Sequence, residues 1–373
     1  MVAIHRGPLL TFDSVLNDGV GIDAFISAHT DCNFAFYRSG KWAFRDALDA
    51  IRASANGETV ILPSYVPHAI VEPIYHAGLT PIHYRIKSTL HPDFDHLTSL
   101  VDHSTLAIVS VGYFGHPQPT WVLDRIRTLC DEYNSVLIDD AAHCALSIGN
   151  DGLGGTAGSI GFSSLHKFFP IPDGAVLYVT DDMLSASLSR SNIASQLSGE
   201  DLRFLLDTVL TRVIDSFSSH FPQNTHEIST PSQDSDTKAI YSRSKGSMSL
   251  LSREILRRVD LETVTKRRRA NYQTWDEIIS NQSDIASLYT NLEMGAVPLY
   301  YPAIVGDPTN SFKKVGQPWP PLPNTVKGNN QFPVANDLST HLYTFPVHQG
   351  LRPEDIETVV KNVITSYIAA SGY

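Results

Sequence analysis

The chain has 373 residues, which suggests two domains, or a large domain with a smaller appendage. A hydrophobic share of 42% and a charged share of 18% are those of a globular protein, and a net charge of −11 argues against a nucleic-acid binder, which carries a basic face. Three cysteines (Cys32, Cys130, Cys144) without a CxxC pair, no apolar run at the N-terminus and no apolar stretch of about 18 residues lead us to expect a reduced, cytoplasmic setting and no membrane partner.

In chain order, Arg38–Ser39–Gly40–Lys41 precedes a helical run over 42–51. A strand is predicted over 58–63 (ETVILP), followed by a helical stretch that Gly78 stops, and a second strand over 81–86. Residues 105–114 (TLAIVSVGYF) are apolar enough to be a strand buried on both faces. Over 120–133, Val122, Leu123, Ile126 and Leu129 recur at helical spacing. Strands follow over 135–138, which runs into two aspartates, and over 160–164 and 175–180. This strand–helix rhythm means βαβ units and a largely parallel sheet flanked by helices.

The pattern changes near Asp182. An amphipathic helix is predicted over 200–217, then a polar loop over 218–237, then a helical stretch over 248–272. The basic run 266–269, beside Glu254, Asp260 and Glu262, reads as a solvated helix face. Strands over 297–305 and 341–345 and a closing helix over 353–368 complete a smaller C-terminal α+β domain, 242–373, after a large domain, 1–241. The Pro-rich segment 316–323 (GQPWPPLP) reads as a fixed loop.

Four features fall at strand ends or helix starts, where parallel α/β sheets take ligands. The first is Asp139–Asp140–Ala141–Ala142–His143, directly after an apolar run. A carboxylate there is costly to desolvate unless it meets a cation, and a protonated pyridinium nitrogen is one such cation. A helix N-cap, or a metal set of Asp139, Asp140, His143 and His166, would use the same residues. The second is Lys167, set among His166, Phe168 and Phe169. An apolar setting lowers a lysine's pKa and frees the neutral amine to form a Schiff base. The third is Ser39–Gly40 at a helix start, whose backbone N–H groups can take an anion, although most such pairs are ordinary N-caps. The fourth is the turn 62–68 (LPSYVPH), which can lay a residue over a flat ring or merely end one element and start the next.

Set together, these segments resemble the DegT-type (StrS-like) sugar aminotransferase family of fold-type-I pyridoxal-phosphate (PLP) enzymes. The match runs from about residue 39 to 174 and more weakly from 248 onward. The resemblance implies that Ser39 and Gly40 form the phosphate cradle, with Lys41 where threonine is usual. It implies that Asp140 faces the pyridine nitrogen, His143 contacts the 3-hydroxyl, Ser163 contacts the phosphate and Lys167 holds the cofactor, with His348 near the active site. Two departures stand out. The position of the usual stacking aromatic falls on Pro67, beside His68 and Tyr65, and the family's phosphate-reaching asparagine is replaced in register by Lys245.

The resemblance further implies a homodimer that passes an amino group from glutamate or glutamine to a keto sugar, nucleotide-linked, or a related small ketone. A PLP lyase or dehydratase on the same scaffold would keep Asp140 and Lys167. A metal-dependent hydrolase is the unrelated alternative, weakened by the lack of His-x-x-x-His helical spacing.

Overall fold

The computed structural model describes residues 19–185, 194, 196–207, 246–306 and 315–361. The first half alternates as the sequence rhythm requires: α1 (Gly21–His29), β1 (Asn33–Tyr37), α2 (Gly40–Ser54), β2 (Thr59–Pro63), α3 (Val71–His76), β3 (Thr80–Tyr84), α4 (Phe94–Leu100), β4 (Thr105–Val111), α5 (Thr120–Tyr133) and β5 (Val136–Ala141). A two-strand ribbon, β6 (Ile148–Gly149) and β7 (Gly152–Leu153), leads to β8 (Ile160–Ser164), β9 (Ala175–Val179) and α6 (Asp182–Ser185). The second half holds α7 (Leu250–Leu256), α8 (Leu261–Ile279), β10 (Ile285–Ser287), β11 (Tyr300–Val305), β12 (Gln317–Pro318), α9 (Pro333–His341) and β13 (Leu342–Pro346).

Seven strands form the large sheet in the order β1-β9-β8-β5-β4-β2-β3. All share one direction except β9, which runs antiparallel to both neighbours. Helices cover its faces, and every residue of β4, β8 and β9 is buried, as a sheet covered on both faces demands. On α2 the buried residues Ala43, Phe44, Ala47, Leu48 and Ile51 fall on one stripe, and Phe44 stacks on Phe162 of β8 with ring centroids 5.2 Å apart. The second sheet, β10-β11-β13-β12, is antiparallel and packs against α8 through Trp275, Tyr272 and Ile279.

Several expectations are refined. The aspartates do not follow β5 but lie within it. The single helix expected over 248–272 is two helices, because Asp260 caps a new one by accepting the N–H of Thr263 at 3.0 Å. Within the run 266–269, Lys266 is exposed and paired with Glu262, but Arg268 is 1% exposed and lies in the interior, so this is not a uniformly solvated face. The expected helices over 200–217 and 353–368 are helical over 199–207 and 353–361, and their remaining residues lie outside the described ones. So do the loop 218–237 and the boundary near 242. Trp319, Leu322, Phe332 and Leu338 pack in the same hydrophobic cluster as β2, β3 and β4, so the C-terminal segment shares the core of the large sheet.

Candidate active site

Side chains alternate along a strand, so the two consecutive aspartates of β5 point to opposite faces. Asp139 Oδ2 accepts the backbone N–H groups of Gly155 at 2.9 Å and Ala157 at 3.2 Å, which gives this carboxylate a structural task. Asp140, 5% exposed, faces the other way and accepts the Ala142 N–H at 2.9 Å. Burial lifts the Asp140 carboxyl to about 6, against the pull of the Ala142 N–H and the Lys167 charge. With Asp139 committed to the ribbon side, the four-residue metal set does not assemble, and no group of three or more metal-ligating side chains gathers among the described residues.

Lys167 closes a single 3-10 turn, Leu165–Lys167, that leaves the end of β8 beside Asp140. Its neighbours Phe168 and Phe169 are buried, while His166 is exposed. Burial lowers the pKa of the Lys167 amine, and the nearby Asp140 charge opposes that shift. For both partners burial outweighs mutual attraction, and no ion pair joins them within the salt-bridge distance. The turn is held at both ends. Leu165 and His166 donate their N–H groups to the Gly174 carbonyl at 3.0 and 3.2 Å, and the Phe168 carbonyl accepts from Arg268 and from Gln349 Nε2, each at 2.9 Å.

His143 stands on the same side, its ring kept neutral by burial and by the Lys167 charge. Its Nδ1 accepts the Phe114 N–H at 3.4 Å, and Phe114 holds a left-handed φ of 58°, a conformation that costs energy for an aromatic residue and recurs at functional sites.

Ser39 is the N-cap of α2, with extended backbone and no side-chain capping bond. Its hydroxyl has no partner among the described residues, and the first N–H groups of the helix lack intrahelical acceptors. The segment is tied to the lysine turn through Gly174, whose N–H donates to the Arg38 carbonyl at 2.7 Å. Gly174 adopts φ 141°, where an added Cβ would lie 3.1 Å from Ile171 and 3.2 Å from Met248, so glycine is required.

Three residues expected at the cofactor stand differently. Lys41 is bound to Glu72 of α3 at 2.6 Å, which turns its ammonium into a helix–helix pair. Ser163 is fully buried, its hydroxyl 3.3 Å from that of Tyr178, on the face of β8 shared with Asp139. Period-2 alternation puts Ser164, not Ser163, on the Asp140 face. Lys245 lies outside the described residues; its neighbour Gly246 accepts the Arg38 N–H.

Sequence reasoning missed two groups. Trp319, from the Pro-rich segment, stacks on Tyr65 with centroids 4.4 Å apart and meets His143 edge-on at 5.8 Å. Its signal was a lone tryptophan among prolines, held by the His68 N–H donating to the Pro321 carbonyl at 2.9 Å. The stretch around His348 was expected near the site; His348 is 4% exposed, and it is the adjacent Gln349 that reaches the lysine turn.

The layout of the chain is that of fold-type-I PLP-dependent transferases. It superposes on Helicobacter pylori PseC, described as an aminotransferase involved in the biosynthesis of pseudoaminic acid, with a TM-score of 0.67 at 16% identity, covering 98% of this chain and 99% of that one. It is also similar to the aminotransferase TlmJ of Streptoalloteichus hindustanus, with a TM-score of 0.61 at 18% identity, covering 91% and 87%. At such identities the likeness carries the fold alone. Residues 30–193 match the sequence model of the DegT/DnrJ/EryC1/StrS aminotransferase family, so the resemblance read from the motifs is borne out over the segment that carries Asp140 and Lys167. A GDP-perosamine synthase of Vibrio cholerae is 28% identical over 132 residues, 35% of this chain and 34% of that protein; the match therefore spans about a third of the relative's length.

Proposed function

We propose that this chain is a PLP-dependent aminotransferase that moves an amino group from glutamate or glutamine to a keto sugar, nucleotide-linked, or to a related small ketone. The observation that carries the reading is the placement of Asp140 and Lys167 on one side of the sheet's C-terminal edge, beside the open helix start at Ser39. The residues fit the cofactor: a buried carboxylate with one N–H partner suits a pyridinium nitrogen, an amine of lowered pKa suits an aldehyde, and an unpaired hydroxyl at a helix N-terminus suits a phosphate.

When bound, PLP supplies an aldehyde for amine exchange and an electron sink. Lys167 would hold the cofactor through its amine, and that amine would remove a proton from the substrate carbon and return it as general base and acid. Asp140 would hold the proton on the ring nitrogen, and neutral His143 would orient the ring. Arg268 and Gln349 fix the backbone from which Lys167 swings. The sugar acceptor is supported by the names borne by the relatives, whereas the donor, the nucleotide link, a homodimer with shared sites and a cytoplasmic location belong to the proposal alone. Among the described residues no helix is long and apolar enough to cross a membrane.

Mixing the protein with glutamate in the absence of acceptor tests the reading. One equivalent of 2-oxoglutarate should be released as the visible absorbance is lost. Retention of the yellow colour with glutamate and with glutamine, together with turnover of an amino acid to an elimination product, would reassign the chain to lyase chemistry.

A further inference from the structure

We propose that a second site, at the carboxyl ends of β2 and β3, binds the oxyanion, phosphate or carboxylate, of a small molecule. A cavity of about 340 Å³ opens there between Ser64, Arg85 and Asp93 on one side and residues 330–335 on the other. This is the size of small-molecule pockets, and the ends of parallel strands are where α/β sheets take ligands.

The floor is polar and incompletely bonded. Leu62 pairs with His83 and Pro63 with Tyr84, so by alternation Ser64 and Arg85 share the face of Leu62 and His83. Ser64 is 1% exposed, yet its hydroxyl has no hydrogen-bond partner among the described residues. A buried polar group left in this state costs about 1–3 kcal/mol, so a ligand that bonds the Ser64 hydroxyl would recover it. The charge comes from Arg85. Among the described residues its guanidinium bonds only Asp93, through Nε at 2.9 Å, which leaves both terminal nitrogens as donors while Asp93 fixes their plane. The roof is the start of α9, a nine-residue helix whose N-cap, Phe332, has no side chain able to cap it and whose first position is Pro333. The N–H groups of Val334 and Ala335 therefore have no intrahelical acceptor, and both residues line the cavity. A guanidinium fork, a free hydroxyl and a helix N-terminus converging on one space make an oxyanion site.

The site is distinct from that of Lys167. In the sheet, β2 lies two strands from β5, roughly 10 Å at ordinary strand spacing, and the Tyr65–Trp319 stack begins one residue past Ser64. The inference does not depend on the aminotransferase reading.

Titration calorimetry on the full chain, loaded with PLP and reduced with borohydride so that phosphate cannot enter the cofactor site, tests it. Inorganic pyrophosphate and citrate serve as the phosphate and carboxylate probes, and whichever binds identifies the source of the oxyanion. Saturable binding should weaken at least about tenfold in Arg85→Leu and less in Arg85→Lys, and Ser64→Ala should weaken it several-fold. Should Arg85→Leu fold poorly, Ser64→Ala and the shift of melting temperature with pyrophosphate carry the same test. Binding of neither probe, or binding that is equal in wild type and the variants, overturns the proposal. If the chain takes up no PLP, the aminotransferase reading fails, and the same titration on the untreated protein still reads this pocket through Arg85.

Discussion

The guanidinium of Arg268 donates to the carbonyl of Phe168 at 2.9 Å, one residue past Lys167 and 100 residues away along the chain. The same guanidinium reaches the carbonyls of Pro298 and Leu299 and the side chain of Gln349, and lies over the Phe168 ring at 4.8 Å. One buried cation thus joins the lysine turn, α8 and the second sheet. Burial pulls its pKa down to about 9, so it remains charged at neutral pH.

Removing that clamp leaves the Pro298 and Leu299 carbonyls without their side-chain donor and the Phe168 carbonyl with Gln349 alone. Arg268→Leu should lose about 1–3 kcal/mol for each carbonyl left unsatisfied in a urea unfolding curve, and Arg268→Lys, which cannot span the same acceptors, should recover only part. Unfolding coincident with wild type would show that the clamp contributes nothing.

The Asp140 carboxyl has a raised pKa, so its folded form prefers the proton. Stability from this group is full below about pH 4 and is lost as pH rises through about 6. In the cofactor-free protein, Asp140→Asn should therefore be more stable than wild type at pH 8, by about 2–3 kcal/mol, with the difference vanishing near pH 4. Melting temperatures across that range decide the matter; a difference that grows toward acid would contradict the sign.

Burial raises the pKa of Asp139 as well, so its contrast with Asp140 lies in the task its side chain performs. Its carboxylate satisfies two backbone N–H groups, so Asp139→Ala should cost about 1–3 kcal/mol. Cofactor absorbance per folded molecule should stay at the wild-type value. A spectral loss in Asp139→Ala comparable to that in Asp140→Ala would mean that the two faces of β5 have been assigned the wrong way round.

Much of this was legible in the sequence. The apolar run over β4 read as a strand buried on both faces, and the strand–helix rhythm placed β8 and β9 in the same sheet. What was hidden depended on partners distant in the chain. Nothing local separates Arg268 from its exposed neighbour Lys266, since burial was decided by Phe168, Pro298 and Leu299. The choice of Asp140 over Asp139 came from the resemblance alone while both were placed after the strand; extending β5 to Ala141 puts them on opposite faces. For Ser163, alignment by residue type missed the same alternation. Lys41 could not be assigned without Glu72, thirty-one residues away.

Lys167→Ala should fold and still take up PLP, but borohydride should fix no cofactor to it. Peptide mapping of the reduced wild-type protein should find the label on Lys167, and a label on any other lysine would sink the assignment.

Lys41→Thr tests the pairing with Glu72. Because the ammonium is engaged on α3, the exchange should change PLP affinity by less than about threefold, while losing at most about 1 kcal/mol from a half-exposed ion pair. A large drop in affinity by equilibrium dialysis would return Lys41 to the phosphate.

The wedge of Trp319 against Tyr65 and His143 has a consequence for the ancestry and engineering of such chains. A segment that supplies both a wall of the site and part of the first sheet's core cannot be traded as a module. A chimaera joined near residue 242 would bring a foreign loop to a seat shaped for this tryptophan, and the mismatch would fall beside His143. Recombination should therefore be tolerated only when the seat at Tyr65 and Phe114 travels with the loop that fills it.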